Sequence, residues 1–342
     1  MLRSLIAALR RIFQRHGPKS SAPEAPNTAS LPPPALDADS SRPEAGPGAP
    51  APVYPQPIPA LVDIAGWFPT RGGGDASTFF PLGMVHLVAG HGPAYGAPRA
   101  DGRLLPINQN QAPFSVIGGS FGGNMETNFA LPNLDGRAPI GGATVGQFGQ
   151  GSLTLTYMIA TSASSVAPLP GMVALFAAGW APDGWLAADG SVVPMYLHVP
   201  LFEAIGTTFG GQTPSTLALP DLDGTAVVGV GQGRGVAPVA LGQQVAGAVP
   251  GLGLNYLISV TGPPPPISGK GAFPETGQYL GQVIAYAGAQ VPTGWALCDG
   301  SLLQVSDNEP LFQLIGTTYG GDGSSTFALP DLRGRMVVGQ SG

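Results

Sequence analysis

The sequence is poor in the residues that most enzymes and metal proteins depend on. One cysteine, Cys298, stands in 342 residues, which excludes intrachain disulfides and leaves nothing for a cysteine metal cluster. It sits in an apolar strand-like run and reads as a small buried hydrophobe. The four histidines, His16, His86, His91 and His198, form no H-x-H or H-x-x-x-H pair. Charged residues make up only 10% of the chain, against about 25% in an average soluble domain. The balance is acidic, with a formal net charge of −6, so no basic face is offered to nucleic acid. No stretch approaches the roughly 20 apolar residues that cross a bilayer.

What is abundant is glycine (53) and proline (38). Without periodicity that would signal low complexity, but here it is periodic. Gly83, Gly171 and Gly281 open three copies of one stretch. The Asp-Gly pairs at Asp101, Asp189 and Asp299 recur in step, as do the aromatic-Gly-Gly at Phe121, Phe209 and Tyr319 and the Leu-Pro at Leu131, Leu219 and Leu329. Every landmark advances by 88 and then by 110, so each copy runs 59 residues without an internal gap. Most of the glycines and prolines therefore read as turns.

The third copy is the clearest. It carries Gly294-Trp295, Leu297-Cys298-Asp299-Gly300, Leu311-Phe312, Ile315 through Gly321 as IGTTYGG, and Phe327 through Arg335 as FALPDLRGR. These motifs resemble the phage tail collar domain of tail-fibre and microcystin-dependent proteins. The resemblance implies a small, loop-rich, mainly β module that sits near the receptor-proximal end of a trimer in tail fibres. The first copy departs most: Ala97 stands where Trp185 and Trp295 stand, and Asn133 replaces Asp221 and Asp331.

The expected fold class is mainly β with short helices (α+β). Within each copy an opening strand leads through a turn to a second strand that ends at the Asp-Gly turn. A short helix follows. In the third copy Ser306 and Glu309 have capping-box spacing, Leu311, Phe312 and Ile315 form the apolar face, and Gly316 is placed to stop the helix, as are Gly118 and Gly206. The modules are expected at 83–162, 171–262 and 281–342.

Ahead of them lie two segments of different character. Residues 1–16 place Leu2, Leu5, Ile6, Leu9, Ile12 and Phe13 on one helical face with arginines elsewhere, a basic amphipathic helix suited to a membrane surface or to a groove on a partner protein. Residues 17–57 hold 12 of the 38 prolines and read as a disordered linker, which spans roughly 120 Å in the polyproline form.

Residues 58–70 read as a displaced strand. Copies one and two are each followed by an apolar strand, Tyr157–Thr161 and Tyr256–Val260, and copy three is followed by none. Leu61, Val62 and Ile64 align with Leu257, Ile258 and Val260 of the second. A module of about 60 residues buries too little surface alone, and an unpaired edge attracts a strand. Two outcomes stay open. The strand completes the third module of its own chain, giving a pseudo-threefold head, or it completes the third module of a neighbour, giving self-association into a filament.

No catalytic or cofactor-binding grouping emerges. Asp101, Asp189 and Asp299 precede glycine, as tight turns require. Asp331 and Arg335 are expected to form an ion pair within the third module. The Gly-Gly segments lack the Lys and Ser/Thr of a phosphate loop. Trp185 and Trp295 read as core anchors. Trp180, opposite Gln290 and in an expected loop, reads as an intermodule contact or as a candidate sugar-stacking contact. The sequence thus points to a non-enzymatic tail-fibre-like or adhesin-like protein binding a cell-surface glycan or receptor, without metal or cofactor. The alternative is a structural subunit that polymerises by donating the strand at 58–70.

Overall fold

Three opening strands, β3, β9 and β16 in the numbering below, pair with one another and organise everything around them. The computed structural model describes residues 55–62, 81–90, 98–142, 145–147, 152–161, 169–262 and 278–340. The helix expected over 1–16, the linker as far as residue 54, and Ile64 lie outside the described residues. Two short strands come first, β1 (Pro55–Ile58) and β2 (Ala60–Val62). Module 1 holds β3 (Met84–Val88), β4 (Leu104–Pro106), helix α1 (Gln111–Ile117), β5 (Asn128–Ala130), β6 (Ala138–Gly141), β7 (Gly146–Gln147) and β8 (Ser152–Ala160). Module 2 holds β9 (Met172–Phe176), β10 (Trp185–Ala187), β11 (Val192–Pro194), α2 (Val199–Ile205), β12 (Thr216–Ala218), β13 (Ala226–Gly229), β14 (Gln244–Val245) and β15 (Gly251–Ser259). Module 3 holds β16 (Gln282–Tyr286), β17 (Trp295–Leu297), β18 (Leu302–Gln304), α3 (Glu309–Ile315), β19 (Thr326–Ala328) and β20 (Met336–Gly339).

The opening strands read MVHLV, MVALF and QVIAY and are buried along their whole length. Strands covered on both faces lose the polar alternation of a surface strand, and these have lost it. Their pairing is antiparallel and cyclic. Met84 faces Phe176, Met172 faces Tyr286, and Gln282 faces Val88. Each strand thus gives its first half to one neighbour and its second half to the other. One contact in this triangle is polar: Gln282 Nε2 lies 3.4 Å from His86 Nδ1, where the equivalent residues of the other strands are methionine, alanine and isoleucine.

A second set of pairings repeats outside the first. The first half of β8 runs parallel to β6, and its second half runs antiparallel to β9. Likewise β15 pairs parallel with β13 and then antiparallel with β16. Residues 55–62 pair in the same way, β1 parallel with β20 and β2 antiparallel with β3. Leu61 faces His86 as Leu257 faces Ile284, at equivalent positions. The strand begins at Pro55, three residues before the boundary read from composition. Its prolines fit because Pro55 and Pro57 lie on β1, at the end of the strand order, and edge strands tolerate proline.

A glycine locks each module to the next. The Gly141, Gly229 and Gly339 N–H groups donate to the carbonyls of Thr225, Arg335 and Arg137, at 2.9, 2.9 and 3.1 Å. Their own carbonyls accept from the N–H groups of Gly224, Gly334 and Gly136, at 2.9, 2.7 and 2.8 Å. A Cβ at any of the three would overlap the carbonyl oxygen of Leu222, Leu332 or Leu134. Only glycine lets two backbones approach this closely.

Within a module the helix packs on a hairpin. Leu311 and Ile315 lie four apart on α3 and are both buried, as one helical face requires. Phe312 and Phe327 rings lie 5.5 Å apart, and Phe114 and Phe129 rings 5.4 Å apart in module 1. Gly118, Gly206 and Gly316 end the helices at φ of 61°, 59° and 54°. The expected capping box is absent. Residues 305–307 form a turn, Ser306 Oγ bonds Asp307, and Asn308 takes the cap position while its amide holds the Gln304 carbonyl at 3.1 Å.

Candidate functional site

The equivalent positions of the three modules share a backbone frame and carry different side chains, and those differences define the surface available for recognition. The Asp-Gly aspartates are part of the frame. Asp101, Asp189 and Asp299 accept the N–H of the residue two further on, Arg103, Ser191 and Ser301, at 3.1, 3.0 and 3.0 Å. They bridge to Asn133, Asp221 and Asp331 respectively. Asn133, Asp221 and Asp331 make the same turn in their own segment, each accepting the N–H two residues on. This explains how Asn133 substitutes for aspartate: the turn needs an acceptor oxygen, and the charge is dispensable.

Asp331 pairs with Arg333, which replaces the expected partner Arg335. Arg333 Nε and Nη2 donate to the two carboxylate oxygens at 2.8 and 3.0 Å. The turn brings residue 333 over the carboxylate, and Gly334 at φ 65° then redirects the chain. The Arg335 carbonyl serves the Gly229 lock instead, and its buried Nε has no hydrogen-bond partner among the described residues. In module 1 the analogous ion pair is Arg103 with Asp101, Nε to Oδ1 2.9 Å. That guanidinium holds the Asp101 carboxyl below the usual carboxylate range. Module 2 has Asp223 where module 3 has Arg333. Partial burial, with the charges of Asp189 and Asp221, pushes its carboxyl up.

Of the tryptophans, Trp185 is buried and its Nε1 has no hydrogen-bond partner among the described residues, and Trp295 is half-buried at the start of β17. Trp180 is half-buried as well, its ring edge-on to Phe176 at 5.4 Å and 87°. Its ring packs edge-on against the end of β9, as an intermodule or core contact would, with part of the residue still exposed. Cys298 is 3% exposed, and burial pushes its thiol well up, with Asp299 and Asp331 adding to the effect. Leu61 is buried on β2.

Two surface features escaped the sequence reading. Module 2 exposes Val192, Tyr196, Leu197 and Val199, with Tyr196 76% exposed. At the last three positions module 1 has Asn108, Gln109 and Gln111, and module 3 has Ser306, Asp307 and Glu309. The helix that follows has the same length in all three, so the fold does not require the apolar residues. The second feature is the trio Arg99, Ala187 and Leu297 with its neighbours Asp135, Asp223 and Arg333, which face the seams between modules. Aligning the copies on their landmarks and scanning for changes of charge or polarity would have found both.

Among the described residues no group of three or more His, Cys, Asp or Glu side chains is placed to hold a metal ion, and no helix is long and apolar enough to cross a membrane. Comparison with family models matches the phage tail collar domain three times, at residues 83–139, 171–227 and 281–337, together half of the chain. No curated protein and no solved structure matches the chain significantly.

Proposed function

This chain belongs to the phage tail collar domain family, whose members are structural proteins of the tail-fibre type, and from that premise we propose that it is a non-enzymatic receptor-binding or adhesin-like protein. Its three modules form a pseudo-threefold head that imitates within one polypeptide the trimer of the family, with residues 55–62 closing module 3 onto module 1. The cyclic pairing of the opening strands and the three glycine locks support this arrangement. The head works on a virion or another extracellular structure and meets a cell-surface receptor or glycan. The observation that carries the binding role is the divergence of exposed residues on a shared frame, above all the apolar Tyr196, Leu197 and Val199 of module 2, where modules 1 and 3 carry polar residues. Exposed apolar groups rimmed by polar surface mark interaction sites.

The test is binding of the full chain to a glycan array and to bacterial surface preparations. It is compared with a variant carrying the module 3 residues, Tyr196→Ser, Leu197→Asp and Val199→Glu. Binding that weakens in the variant while thermal stability is unchanged supports the reading. Failure to bind any surface, or binding indifferent to the exchange, counts against it.

A second reading uses the strand at the N-terminal side. β1 and β2 meet partners from opposite ends of the repeat array, so the same pairing is available between chains. The protein is then a structural subunit that polymerises by strand donation.

A further inference from the structure

The three seams are built alike and lined differently, and one of them holds a cavity of 190 Å³. It lies between modules 2 and 3, walled by Tyr256, Leu297 and Leu332, with Asn255, Asp299 and Arg333 supplying polar groups. One water needs roughly 10–15 Å³ of such space, so the volume admits a small molecule. Resting on the surface-recognition reading above, we infer that this cavity binds a single neutral, polyhydroxylated ring, one sugar residue of a surface glycan.

The class of ligand follows from the hydrogen-bonding capacity left over. Asp299 Oδ1 takes the N–H and the hydroxyl of Ser301, and Oδ2 accepts nothing from the described residues. Asn255 Nδ2 donates to the Gly288 carbonyl at 2.8 Å, which leaves Oδ1 open. Arg333 commits Nε and Nη2 to Asp331, which leaves Nη1 as a donor. Two acceptors and a donor beside apolar walls suit vicinal hydroxyls, which both donate and accept. An anion is disfavoured, since Arg333 is already neutralised by Asp331 and Asp299 adds an uncompensated negative charge. A hydrocarbon would strand Asp299 and Asn255 away from water, which is costly.

The neighbouring seams show how the site is opened or closed. Between modules 3 and 1, Arg99 stands at the position of Leu297, and its guanidinium donates to the carbonyl of Gln340 and lies 3.8 Å from Asp135. Gln340 is the equivalent of Val230, a lining residue of the cavity, so the Arg99 side chain spans the corresponding groove. Between modules 1 and 2, Thr156, Ala187 and Asp223 replace Asn255, Leu297 and Arg333, which removes the donor. The module 2–3 seam has a further wall, a turn bridged from Gly231 to Val239. A Cβ at Gly231 would lie 3.0 Å from the Arg333 stem, so the bare backbone there packs against the arginine and holds it in place.

The experiment titrates the full chain with methyl glucoside, methyl galactoside, methyl mannoside and N-acetylglucosamine. Galacturonate and N-acetylneuraminate serve as anionic comparators, and saturation-transfer NMR and calorimetry read the binding. At least one neutral sugar is expected to bind. Leu297→Arg, which installs the bridging side chain of the 3–1 seam, and Asn255→Thr, which installs the residue of the 1–2 seam, should each weaken it about tenfold or more. Thr207→Ala, on the exposed surface away from the cavity, should leave it unchanged. If no neutral sugar binds while the chain still adheres to cell surfaces, the cavity assignment fails and the receptor reading stands. Undiminished binding in Leu297→Arg and Asn255→Thr places the sugar elsewhere, and preference for the acidic sugars overturns the assigned class.

Discussion

Replacing Gly229 with alanine tests the packing of the seams at its tightest point. The new Cβ falls on the Leu332 carbonyl oxygen, well inside the 3.0 Å limit that real Cβ contacts respect. The obstacle is backbone and cannot rotate away. To make room, the seam must give up two hydrogen bonds, Gly229 N–H to the Arg335 carbonyl and Gly334 N–H to the Gly229 carbonyl. Each is worth about 1 kcal/mol net, and the overpacking adds about 1–3 kcal/mol. Alanine returns about 0.4–1 kcal/mol by restricting the unfolded chain, so the loss is roughly 3 kcal/mol. Gly229 does not sit at positive φ, so backbone strain adds nothing. Urea unfolding should register the loss, along with a fall in Tm of about 5 °C. Gly141→Ala and Gly339→Ala should behave alike, because their locks are built the same way, and Thr207→Ala on the exposed surface is the control. A Gly229→Ala protein within about 0.5 kcal/mol of wild type would refute the close-approach argument.

Three further outcomes are expected. Cys298, buried with its thiol pushed up, should resist alkylation in the native protein and yield one reactive thiol per chain on denaturation; rapid native labelling would mean the seam between modules 2 and 3 is open. Asp101, with its carboxyl lowered by Arg103, adds stability that is present above the unfolded carboxylate pKa and lost as pH falls through the folded value. Asp223 is shifted the other way, so its contribution is present in acid and lost as pH rises. Asp101→Asn should therefore destabilise at neutral pH and Asp223→Asn should stabilise, both differences fading in acid, and reversed signs in urea titrations from pH 3 to 7 would contradict the assignments. Trp180→Ala should cost about 2 kcal/mol, since half of a large aromatic contact is lost, and leave sugar binding intact. Loss of binding without loss of stability would return Trp180 to the ligand role.

Much of the frame was legible because its determinants are local. The landmark spacing identified three copies and their motifs the resemblance to the collar domain, the apolar runs marked the opening strands, and the glycines at 118, 206 and 316 marked the helix ends, where positive φ is required. Spacing misled where geometry decides between neighbours. Arg333 and Arg335 are both within reach of Asp331 along the chain, and only the turn and Gly334 select the first. Ser306 has capping spacing, yet the turn at 305–307 uses it before the helix begins. The start of β1 was hidden because Pro55 and Pro57 look like linker, and an edge position is known only from the sheet. The seam cavity depends on residues 24 to 102 apart in sequence, Gly231, Asn255, Leu297 and Arg333 among them, whose convergence follows from the pairing of β15 with β13, β16 and β17.

The proposed head depends on residues 55–62 completing the third module of their own chain. Pro57 on β1 faces Val338 on β20, with Pro57 exposed and Val338 half-buried. Paired strands lie about 4.8 Å apart, within the span a disulfide bridges. A Pro57→Cys, Val338→Cys protein should be oxidised at low concentration, with buried Cys298 inert, and resolved by non-reducing electrophoresis and intact mass. The account predicts a cross-linked species of single-chain mass in high yield. Covalent dimers and a ladder of higher oligomers without the cross-linked monomer would contradict it and make this a strand-exchanging subunit.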